Sequence, residues 1–288
     1  MNDGLNCGVF LLSIDVELGS NPTMLQSSRE AVSRLLELME RYNIRGTWAV
    51  IGNTLVERNQ NDRFSREYRE LVHQVLSCKV TQEIGCHTYS HIRVGAPSCT
   101  RERFTSELDA CLQVAKKIGV ALKSFVYPWN SVGHTDCLPE HGFLSYRGES
   151  PVWYAGLPVS LRRLSHLLDH WLFIPPPVVT AIYEKRIWNL PASYYYVSGA
   201  GWGKMIPLFL RTNKAKKGFL LAARERRIFH MWFHPFDLAY KTNDWLKGLE
   251  SIFSEVVHYR NSGLLDNPTM GELAQRLQLQ QEHELIEP

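Results

Sequence analysis

Two carboxylates and three histidines are the side chains of this sequence best suited to chemistry. Asp15 and Glu17 stand two residues apart at the end of an apolar run, Val9–Ile14. In extended chain both would project to the same side. His87 and His91 stand four apart, after Glu83-Ile84-Gly85-Cys86, where a strand is expected to stop. If the chain turns helical there, both rings face one ion. His234 closes the apolar run that begins at Ile228 and is followed by Pro235-Phe236-Asp237. Carboxylates and imidazoles gathered at one place are the equipment of acid–base or metal-assisted hydrolysis.

Two other HxxxH patterns read differently. His166 and His170 lie in a basic, amphipathic stretch and are expected on a solvated helix face. His230 and His234 lie along a strand, where four residues at ~3.3 Å each separate the rings too far to share an ion. His230 is therefore expected to be a satisfied histidine, either of the core or behind the site residues. His87 is followed by Thr88, so the pattern is not the HExxH of a zinc peptidase.

Such residues must be brought together by a fold. Apolar runs at 9–14, 46–51, 83–87, 123–128, 144–148, 187–191 and 228–234 read as strands, with helical stripes between them. One helix is expected to open at a capping box, Ser27 with Glu30. Others are expected over 64–77 and 100–118, with a C-terminal helical segment at about 240–280. Repeated strand–helix units indicate a parallel α/β fold. About seven strands closed in a ring give a barrel, in which functional residues gather at the carboxyl ends of the strands. Asp15, Glu17, His87, His91, Tyr127, Trp129, Asn130 and His234 all fall at such ends, so one domain over 1–288 is expected. Pro151, Pro158 and Pro175-Pro176-Pro177 mark about 150–180 as an irregular insertion.

The balance of 32 Lys+Arg against 29 Asp+Glu, net +3 over 288 residues, does not fit a nucleic-acid binder. The six cysteines, at 7, 78, 86, 99, 111 and 137, form no CxxC pair and read as free thiols of a reducing compartment. With neither a signal peptide nor a ~18-residue apolar span legible, a cytoplasmic protein is expected. Residues 211–227 hold seven basic residues and one acidic residue, after the apolar run 205–210. Peripheral contact of 205–227 with anionic membrane is one reading, and a buried helix with a solvated basic face is the other. The sequence does not fix the oligomeric state.

The motifs Asp15-Val16-Glu17, His87-Thr88-Tyr89-Ser90-His91, Phe125-Val126-Tyr127-Pro128 and Phe233-His234 resemble, in order and spacing, those of the polysaccharide deacetylases of carbohydrate esterase family 4. Gly46–Asn53 and Glu83–His87 frame them in the same way. The resemblance covers about 8–148 and 228–275, and is weak over 150–225. It implies a distorted (β/α)7 barrel and one divalent metal ion, Zn²⁺ before Co²⁺, Ni²⁺ or Mn²⁺. His87, His91 and Glu17 would be the ligands, Asp15 the general base and His234 the general acid. The D-x-E spacing looks like an atypical branch, and the roles of Asp15 and Glu17 are open to reversal. The family's Arg two residues before the motif-three Pro is Val126 here, and Arg147 is a candidate replacement. Tyr127, Trp129, Asn130 and Arg147 are expected to contact substrate.

The function implied is metal-dependent removal of an N-acetyl group from an acetamido sugar, an intracellular or lipid-linked precursor of surface polysaccharide. Two rivals stand beside it: a metal-independent hydrolase of linear or cyclic amides, and a barrel that binds a glycan or partner without catalysis.

Overall fold

The computed structural model describes residues 5–19, 21–56, 63–197 and 205–286. In chain order the elements are β1 (Gly8–Asp15), α1 (Pro22–Tyr42), β2 (Thr47–Val50), α2 (Arg63–Leu76), β3 (Glu83–Cys86), α3 (Arg101–Lys117), β4 (Ser124–Val126), α4 (Cys137–Glu140) and β5 (Ser145–Arg147). They continue with α5 (Val159–Trp171), β6 (Ile182–Glu184), β7 (Ile187–Asn189), β8 (Tyr194–Tyr195), α6 (Leu208–Glu225), β9 (Ile228–Phe233), α7 (Pro235–Ala239), α8 (Thr242–Asn261), β10 (Leu265–Asp266) and α9 (Met270–Ile286).

Strands β5-β4-β3-β2-β1-β9 run parallel in that order. One extended segment closes the ring. Its first half, β7, pairs with β5, and its second half, β8, pairs with β9. Between them Leu190 N donates to Tyr146 O at 2.9 Å, while Ser193 N donates to His230 O at 2.8 Å. The result is the expected distorted (β/α)7 barrel, with β6 and β10 as short additions.

Alternation along β1 explains why it has no exposed face. Phe10, Leu12 and Ile14 pack outward against residues of the surrounding helices, such as Leu35, Phe219 and Leu249. Val9 and Leu11 pack with Val126, Leu190 and Ile228, and α9 plugs that end of the barrel with Met270, Leu273 and Leu277. Both faces are covered, as a parallel sheet requires. Helix α6 lies on β9 through Gly218, where a Cβ would come within 2.3 Å of the Phe229 ring.

Three expectations are corrected. Helix α1 starts at Pro22, ahead of the Ser27–Glu30 box, because Asn21 caps it by accepting from Met24 N at 2.9 Å. The stretch 150–180 is not irregular throughout. It contains α5, so β5, α5 and β7 form an ordinary strand–helix–strand unit. His166 and His170 do not face solvent. His170 is 2% exposed with Nε2 3.0 Å from the Tyr194 hydroxyl, and His166 Nδ1 lies 3.0 Å from the Tyr154 hydroxyl.

In the basic run, Arg211 and Lys214 are buried. Arg211 donates to Tyr196 O, and Lys214 pairs with Asp169 at 2.7 Å. The reading of a buried helix with a solvated basic face therefore describes α6. Among the described residues, no helix is long and apolar enough to cross a membrane.

Candidate active site

The site is assembled in layers up the inside of the barrel. Below it lies a buried network with one consistent proton arrangement. His230 Nδ1–H donates to Leu190 O at 3.1 Å, leaving Nε2 to accept from the Ser13 hydroxyl at 2.9 Å. Ser13 Oγ in turn accepts from Arg147 Nη1 at 3.0 Å. Burial, with the Arg147 charge nearby, pulls the His230 pKa down to about 3, so the ring is neutral. His230 is the core histidine its strand position implied.

Arg147 then reaches Asp15. Nη1 and Nη2 bond Oδ1 and Oδ2, each at 2.7 Å, with both side chains almost fully buried. Burial raises a carboxyl pKa, but the Arg147 guanidinium outweighs it and holds Asp15 below the usual carboxylate range. Arg147 stacks over Trp232, 4.2 Å from the ring centre, and donates from Nη2 to Asn130 Oδ1 at 3.3 Å. Its expected place among substrate contacts is corrected: at 1% exposure it is enclosed beneath the rim.

Above this pair stand Glu17 and the imidazoles. His87 Nδ1–H donates to Val126 O at 2.8 Å, so Nε2 carries the lone pair. Nε2 is buried, has no hydrogen-bond partner and lies 3.6 Å from Glu17 Oε1. His91 Nε2 lies 3.0 Å from the same oxygen. Donor atoms of Glu17, His87 and His91 fall within 4.8 Å of one another. Burial raises the Glu17 pKa, and the close imidazoles of His87, His91 and His234 lower it more, leaving it far below an ordinary glutamate. One carboxylate oxygen, two imidazole nitrogens and an orphaned, buried lone pair are a fitting donor set for a divalent transition metal.

A loop brings the histidines together, not the helical turn expected from their i, i+4 spacing. Thr88 and His91 both take φ of +58°, and the rings meet at 5.0 Å. The turn at Gly52–Leu55 fixes this backbone: Gly52 N donates to Thr88 O and Asn53 N to Tyr89 O. A left-handed conformation at a β-branched residue is costly, and these contacts hold it.

His234 sits at the carboxyl end of β9, with Nε2 3.7 Å from Glu17 Oε1 and 3.9 Å from Asp15 Oδ2. Its Nδ1–H donates to Asp237 Oδ2 at 3.1 Å, and the Tyr195 hydroxyl donates to the same oxygen. Burial lowers the His234 pKa, but the Asp237 hydrogen bond and the charges of Asp15 and Glu17 outweigh it and raise it. Asp237 and Tyr195 are site residues that the sequence reading did not assign. Their signals were the i, i+3 spacing to His234 at a helix start and the Tyr194-Tyr195-Tyr196 run.

The remaining expected contacts divide. Tyr127 is 1% exposed, packs on Phe104, Phe125 and Tyr146, and donates to Gly133 O at 2.9 Å. It is core, which corrects its assignment to substrate. Trp129 is 61% exposed, held out at φ +61°, with its ring 5.5 Å from His91 and Arg93 stacked 4.4 Å from its centre. A cavity of about 460 Å³ opens beside Glu17 and His91, walled by Asn53, Phe64, Tyr68 and Phe236. A larger one, about 550 Å³, lies near Glu149, Thr180 and Glu184 and is lined by none of the donors.

Comparison with known proteins agrees with this arrangement. The model of the polysaccharide deacetylase family matches residues 15–136. No curated protein sequence matches the chain. Among solved structures, the fold is similar to that of a putative polysaccharide deacetylase from Mycobacterium smegmatis (16% identity, 98% of this chain and 93% of that one, TM-score 0.64). It is also similar to a probable polysaccharide deacetylase from Pseudomonas aeruginosa PAO1 (13%, 93% and 89%, TM-score 0.59). An allantoinase has the same fold (12%, 93% and 89%, TM-score 0.59). The segment matched by the family model contains Asp15, Glu17, His87 and His91, and over that segment the chain is similar to the polysaccharide deacetylase family.

Proposed function

We propose that this protein is a metal-dependent N-deacetylase acting on an acetamido sugar. The observation that carries the reading is the Glu17–His87–His91 donor set, in which His87 presents a buried, unpartnered Nε2. Glu17 is the proposed carboxylate ligand, because it faces both imidazoles while Asp15 is occupied by Arg147. A divalent ion held there would supply Lewis-acid polarisation of the acetamide carbonyl and an activated water.

The chain's own residues divide the rest of the work. Asp15, kept ionised by Arg147, is the proton acceptor at the floor of the site. His234, held by Asp237 with Nε2 toward the carboxylates, protonates the departing amine nitrogen, which leaves poorly as an anion. Water adds to the carbonyl carbon, the C–N bond breaks, and acetate and the free amino sugar are the products. Trp129 offers an exposed ring at the mouth for a pyranose face.

Elemental analysis paired with an acetate assay tests this. About one equivalent of Zn²⁺, Co²⁺, Ni²⁺ or Mn²⁺ per chain is expected, with acetate released from acetamido sugars and lost on chelation. Undiminished release in chelator would instead favour a metal-independent amide hydrolase. Glycan binding with neither metal nor turnover would favour a non-catalytic barrel.

The His234–Asp237 pair gives a second test. Asp237→Asn removes the negative charge that holds Nδ1–H and supports a protonated ring, and should lower kcat roughly 10²-fold or more, with little change in KM. An unchanged kcat would remove His234 from the proton-transfer role.

A further inference from the structure

Helix α5 is built inside out. Its buried residues include Ser165, Asp169 and His170, each under 9% exposed. Its outward stripe is Leu161, Leu164, Leu168 and Trp171, at 43–53% exposure, continued by Leu172 and Phe173. The spacing 3, 4, 3 places these on one face, where a soluble surface helix carries charge. Trp153, 56% exposed, is tied beside the helix by its Nε1–H to Asp169 Oδ1 at 2.9 Å. Beyond Pro207, at the start of α6, Phe209 is 58% exposed.

Charge is segregated to the same part of the chain. Residues 150–223 hold nine of the 32 Lys+Arg and two of the 29 Asp+Glu, so the rest of the chain is net negative. Of those two acids, Asp169 is buried against Lys214, and Glu184 is exposed and accepts from the Tyr146 hydroxyl at 2.7 Å. Arg162 is exposed on α5, and Lys217 is exposed with Nζ 5.0 Å from the Phe173 ring. An apolar stripe with tryptophans, edged by cations, matches the interfacial zone of an anionic bilayer.

We propose that the outer face of α5, with Trp153, docks this protein on anionic membrane surfaces. The element differs from the 205–227 segment suggested by composition, because Arg211 and Lys214 of that run are consumed internally. The helix follows β5, whose carboxyl end carries Arg147, and His170 bonds Tyr194, the neighbour of Tyr195 in the site. Docking therefore places the rim beside the lipid headgroups. Resting on the deacetylase reading, this names the substrate class as an acetamido sugar carried on a lipid.

Vesicle co-sedimentation of the full chain tests the docking. Most of the protein should pellet with phosphatidylcholine/phosphatidylglycerol vesicles at low salt, little with pure phosphatidylcholine, and little at high salt. Leu164→Glu/Leu168→Glu should cut the bound fraction at least tenfold, and Arg162→Glu about threefold. These residues are exposed, so circular dichroism and acetate release from a water-soluble acetamido sugar should stay unchanged. No pelleting of the wild type with anionic vesicles overturns the proposal. So does a concentration-dependent oligomer that Leu164→Glu/Leu168→Glu converts to monomer without any vesicle binding. Failure of the hydrolase reading would leave vesicle binding intact, so the two outcomes are separable.

Discussion

Replacing His87 with alanine should leave a chain that folds, retains almost no divalent metal through gel filtration, and loses at least ~10³ in kcat/KM, the equivalent of about 4 kcal/mol of transition-state stabilisation. The size follows from the position. Nε2 is buried, without a protein partner and aimed at the Glu17 carboxylate. A truncated side chain leaves Glu17 and His91 as two donors, and both are partly open to water. The stability cost is smaller, about 1–3 kcal/mol for the Val126 carbonyl that loses its donor. His87→Asn, whose amide nitrogen takes the place of Nδ1, can restore that hydrogen bond and should recover stability without activity. Wild-type metal content and turnover in His87→Ala would refute the assigned centre.

The second large effect is expected at Arg147. Arg147→Met leaves Asp15 as an unpaired carboxylate at about 4% side-chain exposure. Breaking a buried pair from one side costs about 3–5 kcal/mol, a fall in Tm on the order of 10 °C for a chain of this size. Arg147→Lys should be nearly as damaging, because an ammonium cannot bond both carboxylate oxygens and Asn130 in one plane. Asp15→Asn/Arg147→Met should be more stable than Arg147→Met alone, since the orphaned charge is gone. Thermal melts of the four proteins check this, and an Arg147→Met Tm within about 2 °C of wild type would contradict it.

These two residues mark how far the sequence could be read. The strands were legible because their apolar runs are buried on both faces. The donors were legible because barrel chemistry sits at strand ends. What local pattern could not supply was the route between donors. Histidines spaced i, i+4 suggested a helical turn, yet Thr88 and His91 are left-handed. The backbone bonds responsible come from Gly52 and Asn53, far back in the chain. Arg147 was visible as a candidate partner for Asp15. Its enclosure depends on β5 lying three strands from β1 with its side chain crossing the barrel, which spacing does not reveal. Helix α5 failed for another reason. Both of its faces carry leucines, so the amphipathic pattern did not say which side was in, and His166 and His170 were expected on the solvated face.

The pairing of β1 with β9 also sets a timetable. Glu17, His87 and His91, the three proposed metal donors, are all made within the first 91 residues, on or just beyond β1 and β3. The other edge of β1 finds its partner at residues 228–233. At 5–20 residues per second, a ribosome needs roughly 10–45 s to supply that strand. Through that interval β1, buried along its whole length in the finished fold, has one unpaired edge, the kind of surface that invites aggregation. His234, one residue past β9, arrives with the strand that seals it. The nascent chain thus acquires the proposed proton donor and its protection from aggregation in the same event, and no length of chain ending before β9 has either.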